Sequence, residues 1–541
     1  MSKDLINWHL WDEKTLEKAK SEHKSIFLFI GDSSSKWSKI MEQESFNNSH
    51  VAELLNERFI PIMVNQHERS DMERYYQKVY TLMNRQNSAT PLTIFLTEEL
   101  KPFYAASYIP AEDIDAQLGF EALLRVISKK YITDYDTLNK KGDEVIEYID
   151  PKEENIQATK VNLSVMKTIS LHTQTLLDKE YGGFTKAPKF PNASILELLL
   201  DTYELEKDDA LLNAITLTLD NMSNGGFYDL KNGGFYDLSQ DEAWREFSGE
   251  KTTYNNALLV QLYLRAYAIT NKQTYKDVAF KTIDFMLKER ENSKLFKEKN
   301  GNIITSWNAL MVNALFMASS YDTKYKLQAI ESLEEILSTL YINGMPHHCK
   351  TKDALPTVKA FLEDYSYLGE TLVMAYQYTL DESFLIMATQ FSNLLIEQYY
   401  QQGRWIYASN RFKMRENIHD TALPSSISSA LSLLMSISSL VDTNYKKFVF
   451  KTVELHSYSL MRQPLSSPKL SQVLLRYLKD DLIIKSNEKL LKENMDKRVV
   501  IRYPYILFKS TLNDDFELSN SHSLILKEKR FEKLLSHIES M

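Results

Sequence analysis

The sequence predicts an α/β domain, then an all-α (α/α)6 toroid built of helical hairpins, then a small mixed α/β extension. Three observations carry this reading. The chain has 541 residues, too long for one hydrophobic core. Its first 130 or so residues alternate short apolar strands with helical segments, as an open α/β sheet requires. Beyond Val161 the apolar residues recur with helical period for about 300 residues, in hairpins of roughly 50 residues, so that six fit. The boundaries that follow are 1–135 for the first domain, 136–160 for a polar linker with some helix, 161–468 for the toroid and 469–541 for the extension.

The elements follow in order. Asp12 is placed to cap a helix through Lys20, with Leu16 and Ala19 on its inner face. The apolar run Ile26 to Ile30 reads as a strand, leading into the turn Gly31-Asp32-Ser33-Ser34-Ser35-Lys36-Trp37-Ser38 and a helix. Further helices are expected around Val51 to Leu55, Met72 to Met83 and Glu112 to Lys130, and strands at Phe59 to Val64, Leu92 to Leu96 and Pro102 to Tyr108. The toroid's expected helices include Ser194 to Tyr203, Asn256 to Ile269, Trp307 to Ser320, Tyr367 to Tyr378 and Phe384 to Tyr400. In the extension, strands are expected at Leu482 to Ile484, Val499 to Ile501 and Ile506 to Lys509, before a final helix.

Composition excludes several function classes. Hydrophobic residues make up 43% and aromatics 11%, which suits globular cores. A net charge of -9 and a pI near 5.8 argue against a nucleic-acid partner, whose phosphates need a clustered basic surface. The longest weakly charged segment, Ser425 to Val441, is shorter than the roughly 20 apolar residues of a membrane span and is interrupted by serines. With no apolar leader after Met1, a cytoplasmic protein without a membrane partner is expected. The single cysteine, Cys349, excludes an internal disulfide. His347-His348-Cys349 is read as structural, so no metal and no cofactor are expected.

Two regions are dense in chemistry. The turn before Trp37 looks like the active-site turn of a thioredoxin-like domain, with Ser35 and Ser38 where Cys-x-x-Cys would stand. A serine hydroxyl neither forms a stable anion near neutrality nor exchanges with a disulfide. Ser34 or Ser35 is expected to cap the following helix, and Thr90-Pro91 resembles the cis-proline turn that faces such a site. The second region holds three Gly-Gly-Phe triplets, at Gly182, Gly225 and Gly233. Glycine pairs suit loops over a cleft mouth. An aromatic beside a carboxylate is what a sugar site uses, and equally what loops packing on one another contain.

In that order the motifs resemble the spermatogenesis-associated protein 20-like family, over nearly the whole chain. They include Trp8 with Trp11, Gly31 to Met41, Val51-Ala52-Glu53-Leu54-Leu55-Asn56 and Pro91-Leu92 in the first domain. In the second they include Tyr181-Gly182-Gly183-Phe184, Ala187-Pro188-Lys189-Phe190-Pro191, Gly225-Gly226, Glu250-Lys251, Thr305-Ser306-Trp307-Asn308 and Phe361-Leu362-Glu363-Asp364-Tyr365. The resemblance implies a thioredoxin-like domain fused to a six-hairpin glycosidase-like toroid. The family pattern has cysteines at Ser35 and Ser38, histidines at Lys36 and Lys39, and a His-Arg pair at Tyr236-Asp237. This chain is a divergent member by that reading, with a degenerate redox site made of Ser35, Trp37, Ser38 and Pro91.

Two readings of function stay open, and a third, thiol oxidoreduction, is set against by the serines of the turn. One is a non-catalytic protein whose cleft binds a carbohydrate-like or peptide ligand through Phe227, Tyr228, Phe235, Tyr236, Lys189, Lys251, Trp307, Asn308 and Tyr365. The other is a glycosidase- or epimerase-like enzyme of carbohydrate metabolism using Asp229, Glu250, Asp364 or Asp420. Glycoside hydrolysis needs two carboxylates about 5 Å apart for retention, or roughly 6.5 to 9.5 Å apart for inversion. Carboxylates facing one cavity favour the enzyme, and carboxylates held by lysines or arginines favour binding.

Overall fold

The structure is a computed structural model that describes residues 5–540 except 33–34, 88–89, 116, 150–156, 291–292 and 352–353. It divides into two compact units, residues 1–155 with 410–414, and residues 156–409 with 415–541.

The first unit is a four-stranded sheet between helices. The helix α1 (Glu13–Ser21) starts at Asp12, whose carboxylate accepts from the Thr15 amide at 2.8 Å. The strands β1 (Ser25–Gly31), β2 (Phe59–Asn65), β3 (Leu92–Leu96) and β4 (Pro102–Ala106) lie in the order β2-β1-β3-β4. β1 runs parallel to β2 and antiparallel to β3. Side chains alternate across a strand. Ile26, Leu28 and Ile30 of β1 therefore enter a core with α4 (Ser70–Asn84), while Phe27 and Phe29 enter another with α3 (Ser49–Arg58) and α5 (Phe120–Thr133). The α2 helix (Lys36–Met41) follows the serine turn.

Two expectations change here. The helix expected from Glu112 starts at Phe120, because Gly119 is held in an extended conformation and its amide donates to the Asp113 carboxylate at 2.7 Å. The expected linker 136–160 begins as α6 (Tyr135–Ile149), whose Val145 and Ile149 complete the core around α4. Phe412 of the separate 410–414 segment joins that core against Trp11, Tyr75 and Tyr76.

In the second unit, outer helices α7 (Val165–Leu176), α9 (Asp209–Asn224), α11 (Gln273–Glu289), α13 (Lys324–Leu340), α15 (Glu382–Tyr399) and α17 (Lys446–Arg462) alternate with inner ones. The inner helices are α8 (Ala193–Glu206), α10 (Thr253–Thr270), α12 (Thr305–Ser319), α14 (Leu362–Thr379), α16 (Ser426–Leu440) and α18 (Pro468–Lys479). Each inner helix packs on the next, and α18 returns to α8, so the ring closes. Inner helices such as α12 are buried almost all round, as a helix enclosed by others must be. Each inner helix except α18 is preceded by a long loop and each outer one from α9 on by a short turn, so the long loops gather where the inner helices begin.

The boundary expected at 469 falls inside α18, which is the sixth inner helix rather than part of the extension. Its apolar face packs between α8 and α16, and without it the ring would stay open. After it come the strands Leu482–Ser486, Ile506–Ser510, Phe516–Ser519 and Leu524–Glu528 in one sheet, with α19 (Glu488–Glu493) and a final helix, α20 (Phe531–Ser540). The expected strand Val499 to Ile501 is instead the end of a 3-10 turn, Met495–Val500, and the sequence reading missed the strands at Phe516 and Leu524. Among the described residues no helix is long and apolar enough to cross a membrane.

Candidate functional site in the toroid

The ring encloses a polar axis. Along α8, Glu197, Asp201 and Glu204 recur every three or four residues, and this spacing puts them on one face. Gln261 and Arg265 on α10, and Lys469, Gln472 and Arg476 on α18, repeat the device. These side chains line a cavity of about 390 Å³, closed along one side by the segment from Arg498 to Ile506. A second compartment of about 220 Å³ shares Glu197, Gln261, Met374, Ser432, Lys469 and Arg498 with it and adds Asn313 and Glu370.

Most of these charges are paired. Arg265 donates to Asp201 at 2.6 Å and to Glu204 at 3.0 Å. Arg476 grips Asp481 through two hydrogen bonds of 2.6 and 2.8 Å, and Lys469 lies 3.7 Å from Glu370. Burial pushes the carboxyl groups of Glu197 and Glu204 above their ordinary range, against the pull of nearby cations. Burial alone would lower Lys469, but Glu370, Glu197, Asp201 and Asp420 hold it above its usual value. Gln472 donates through Nε2 to Asp201 at 3.0 Å, which fixes its amide orientation. Among the described residues its Oε1 then has no partner, and neither has Asn313 Oδ1, although the two residues are only 8% and 7% exposed.

The carboxylates singled out from the sequence all have partners. Asp229 accepts from Lys251 at 2.7 Å and from the Asn232 amide, which outweigh its burial and hold it well below the usual carboxylate range. Glu250 pairs with Lys299 at 3.0 Å. Asp364 is fully buried at the start of α14, accepting from the Phe361 amide at 2.8 Å and the Ser306 amide at 3.3 Å, with His348 Nδ1 2.9 Å away. Glu363 lies 3.8 Å from the same nitrogen, so one histidine and two carboxylates come together. Asp420 accepts from the amides of Ser425 and Lys469 at 2.6 and 2.7 Å, tying together the starts of α16 and α18, and burial lifts it to about 6.

The aromatic loop residues pack on one another. Phe227, Tyr228 and Phe235 are buried, with Phe227 against Trp244 and Phe235 stacked on Tyr263. A Cβ at Gly225 or Gly226 would stand 2.0 Å from the carbonyl oxygen of Trp244 or Arg245, so these glycines serve close backbone packing. Tyr236 stacks on Phe247 and carries Lys251 over its face. Lys189 is fully buried between Asp178 and the Gly182 carbonyl. Trp307 is buried edge-on to Tyr254, and Tyr365 packs on Phe391 and Tyr399. Asn308 accepts from the Phe296 amide at 2.8 Å and donates to the carbonyls of Phe296 and Ile304 at 3.0 Å. None of these expected site residues lines the axial cavity or its second compartment. Tyr236, Glu250 and Lys251 instead line a separate cleft of about 800 Å³ with Glu298.

The sequence reading missed the axial residues. A signal was present: Glu197 sits between Leu196 and Leu198-Leu199-Leu200, and Arg265 between Leu264 and Ala266. A charge inside a helix apolar on all sides has to face a polar interior.

In the first unit, Ser35 occupies the N-cap of α2 but makes no side-chain capping hydrogen bond; Ser34 lies outside the described residues. Ser38 is buried, and its Oγ has no partner among the described residues. Trp37 is 48% exposed and packs on Tyr108 at 4.8 Å. The Thr90-Pro91 peptide bond is cis.

Fold and sites define a class: a thioredoxin-like unit with serines in the turn after its first strand, followed by a six-hairpin toroid with a charged axis. Residues 1–150 match the Thioredox_DsbH family, described as a protein of unknown function, DUF255. The chain is 33% identical over 282 residues to Spermatogenesis-associated protein 20 of Mus musculus, covering 51% of this chain and 36% of that one. It is 31% identical over 274 residues to uncharacterized protein B0495.5 of Caenorhabditis elegans, covering 50% of this chain and 37% of that one. The chain thus spans little more than a third of the length of these relatives. Over about half its length it is similar to the spermatogenesis-associated protein 20 proteins, the resemblance its motifs carry. Among solved structures, it matches the GH76 α-mannanase BT2949 of Bacteroides thetaiotaomicron at 14% identity and TM-score 0.45, over 58% of this chain and 95% of that one. A D-mannose isomerase matches at 11% identity and TM-score 0.47, over 59% and 98%.

Proposed function

We propose that this protein binds a small, polyhydroxylated, carbohydrate-like ligand in the axial cavity of its toroid, and that its first unit does no thiol chemistry. The observation that carries the reading is a pair of buried amide oxygens without a partner among the described residues, Gln472 Oε1 and Asn313 Oδ1, on residues that line the cavity and its second compartment respectively. A buried polar atom without a partner costs about 1 to 3 kcal/mol, and a ligand hydroxyl recovers it. The volume of about 390 Å³ suits a small molecule rather than a folded partner. Met317, Tyr321 and Met374, on the same wall as the charged groups, supply apolar surface for such a ligand. Binding is favoured over turnover because Asp229, Glu250, Asp364 and Asp420 are each engaged by cations or backbone amides. The lone Cys349 leaves no cysteine pair for disulfide exchange within the chain.

Isothermal titration against neutral mono- and disaccharides tests the reading. A binding sugar should lose about tenfold in affinity in Gln472→Leu, which removes the amide. If no sugar binds the wild-type chain, the reading fails. Release of reducing sugar that disappears in Glu197→Gln would replace binding with hydrolysis, because burial holds that carboxyl above its ordinary range.

A further inference from the structure

The cations on the axial cavity's wall are not equally provided for. Arg265, Lys469 and Arg476 each face a carboxylate. Arg498 and Arg502, from the segment that closes the cavity, have no carboxylate within ion-pair distance among the described residues. Arg498 donates through Nη1 to the Gln377 carbonyl at 2.9 Å, and its guanidinium lies over Tyr378 at 4.6 Å and Phe508 at 5.1 Å. Arg502 donates to the carbonyls of Val499 and Ala268. Backbone carbonyls and ring faces hold these two guanidinium groups in place without neutralising them. A guanidinium presents five N–H donors in a rigid fork. Each of these forks therefore has donors left over, on the wall of a cavity. Glu204, the carboxylate whose charge Arg502 senses, is already held by Arg265.

We propose that Arg498 and Arg502 form an anion-binding end of the axial cavity, so that its ligand is an acidic polyol carrying a carboxylate or a phosphate. This rests on the reading of the cavity as a carbohydrate-like site. The anion takes the forked donors of the two arginines, and its hydroxyls take Gln472 Oε1 and Asn313 Oδ1. The two halves are independent observations among the described residues: acceptors without a partner on Gln472 in the cavity and Asn313 in its second compartment, 8% and 7% exposed, and two cations without a carboxylate, of which Arg498 lines both compartments. Charge-assisted hydrogen bonds to a planar anion are stronger than neutral ones and fix its orientation.

The test is titration of the full chain with glucose, glucuronate, glucose 6-phosphate and inorganic phosphate, at one ionic strength. Glucuronate or glucose 6-phosphate should bind at least about tenfold more tightly than glucose, and whichever does so names the anion. That preference should fall to within about threefold in Arg498→Gln with Arg502→Gln, while Arg498→Lys keeps part of it. Equal binding of neutral and acidic sugars by the wild-type chain overturns the proposal without needing any variant, and leaves the neutral-sugar reading standing. A preference that survives in a folded double variant overturns it as well. Binding of inorganic phosphate alone, lost in the double variant, supports the anion end. Failure of every sugar and of phosphate to bind overturns both readings.

Discussion

Burial lifts the Glu298 carboxyl to about 7, with Asp237 and Glu250 nearby adding to the lift, against a hydrogen bond of 3.4 Å from the Thr253 amide. The unfolded chain gives up this proton near the ordinary value of 4.5, and the folded chain only near 7. Between those values the native state holds more protons, so this group's effect on stability falls as pH rises from about 4.5 to about 7. Glu298→Gln removes that slope, and the variant should gain on the order of 2 kcal/mol over wild type at pH 8 relative to pH 5. Urea unfolding of both proteins at the two pH values measures it, and parallel slopes would sink the assignment. Such a residue was not legible in the sequence, where Glu298 is one acid among several lysines. Asp364 shows the opposite case. That it was a candidate carboxylate was legible, but that it is consumed by two backbone amides and His348 follows only from the loops folded against it.

The recurring device among the elements is an asparagine one turn into an inner helix that clamps the loop before it. Asn256 of α10 grips Phe235 through both amide and carbonyl, at 2.7 and 3.0 Å, as Asn308 of α12 grips Phe296. Both asparagines also donate to a carbonyl at the start of their own helix, Thr252 or Ile304. Asn308→Ala therefore strands a buried amide and carbonyl at Phe296 and should cost about 3 kcal/mol or more of stability. Denaturant titration checks this, and a loss below about 1 kcal/mol would mean that the loop is held by other contacts. The short loop motifs were legible because glycine and asparagine are chosen for backbone geometry. Whether Asn308 met a ligand or a loop depended on which carbonyl lay opposite.

At the scale of the whole molecule, the C-terminal sheet completes the toroid's site. Gln377 pairs with both the amide and the carbonyl of Phe508, Lys509 donates to the Leu440 carbonyl, and Tyr505 reaches Asp201 at 3.3 Å. A chain ended after Asp480 loses these contacts and uncovers Asp201 and Gln377, which are buried in the whole protein. Its thermal midpoint should drop by roughly 10 °C or more, read by near-UV circular dichroism, and an unchanged midpoint would show the ring to be self-sufficient. What the sequence by itself determined was the order of the units, the helical period of the ring and the absence of cysteine from the turn before Trp37. Each of these is set by local pattern or by residue identity, and needs no knowledge of distant partners. Only the tertiary structure decided that α18 closes the ring, that the familiar carboxylates are hydrogen-bonded into loops, and that Glu197, Arg265, Lys469 and Arg498 meet along one axis. Those four residues lie far apart in the chain, and ring closure alone brings them to one cavity.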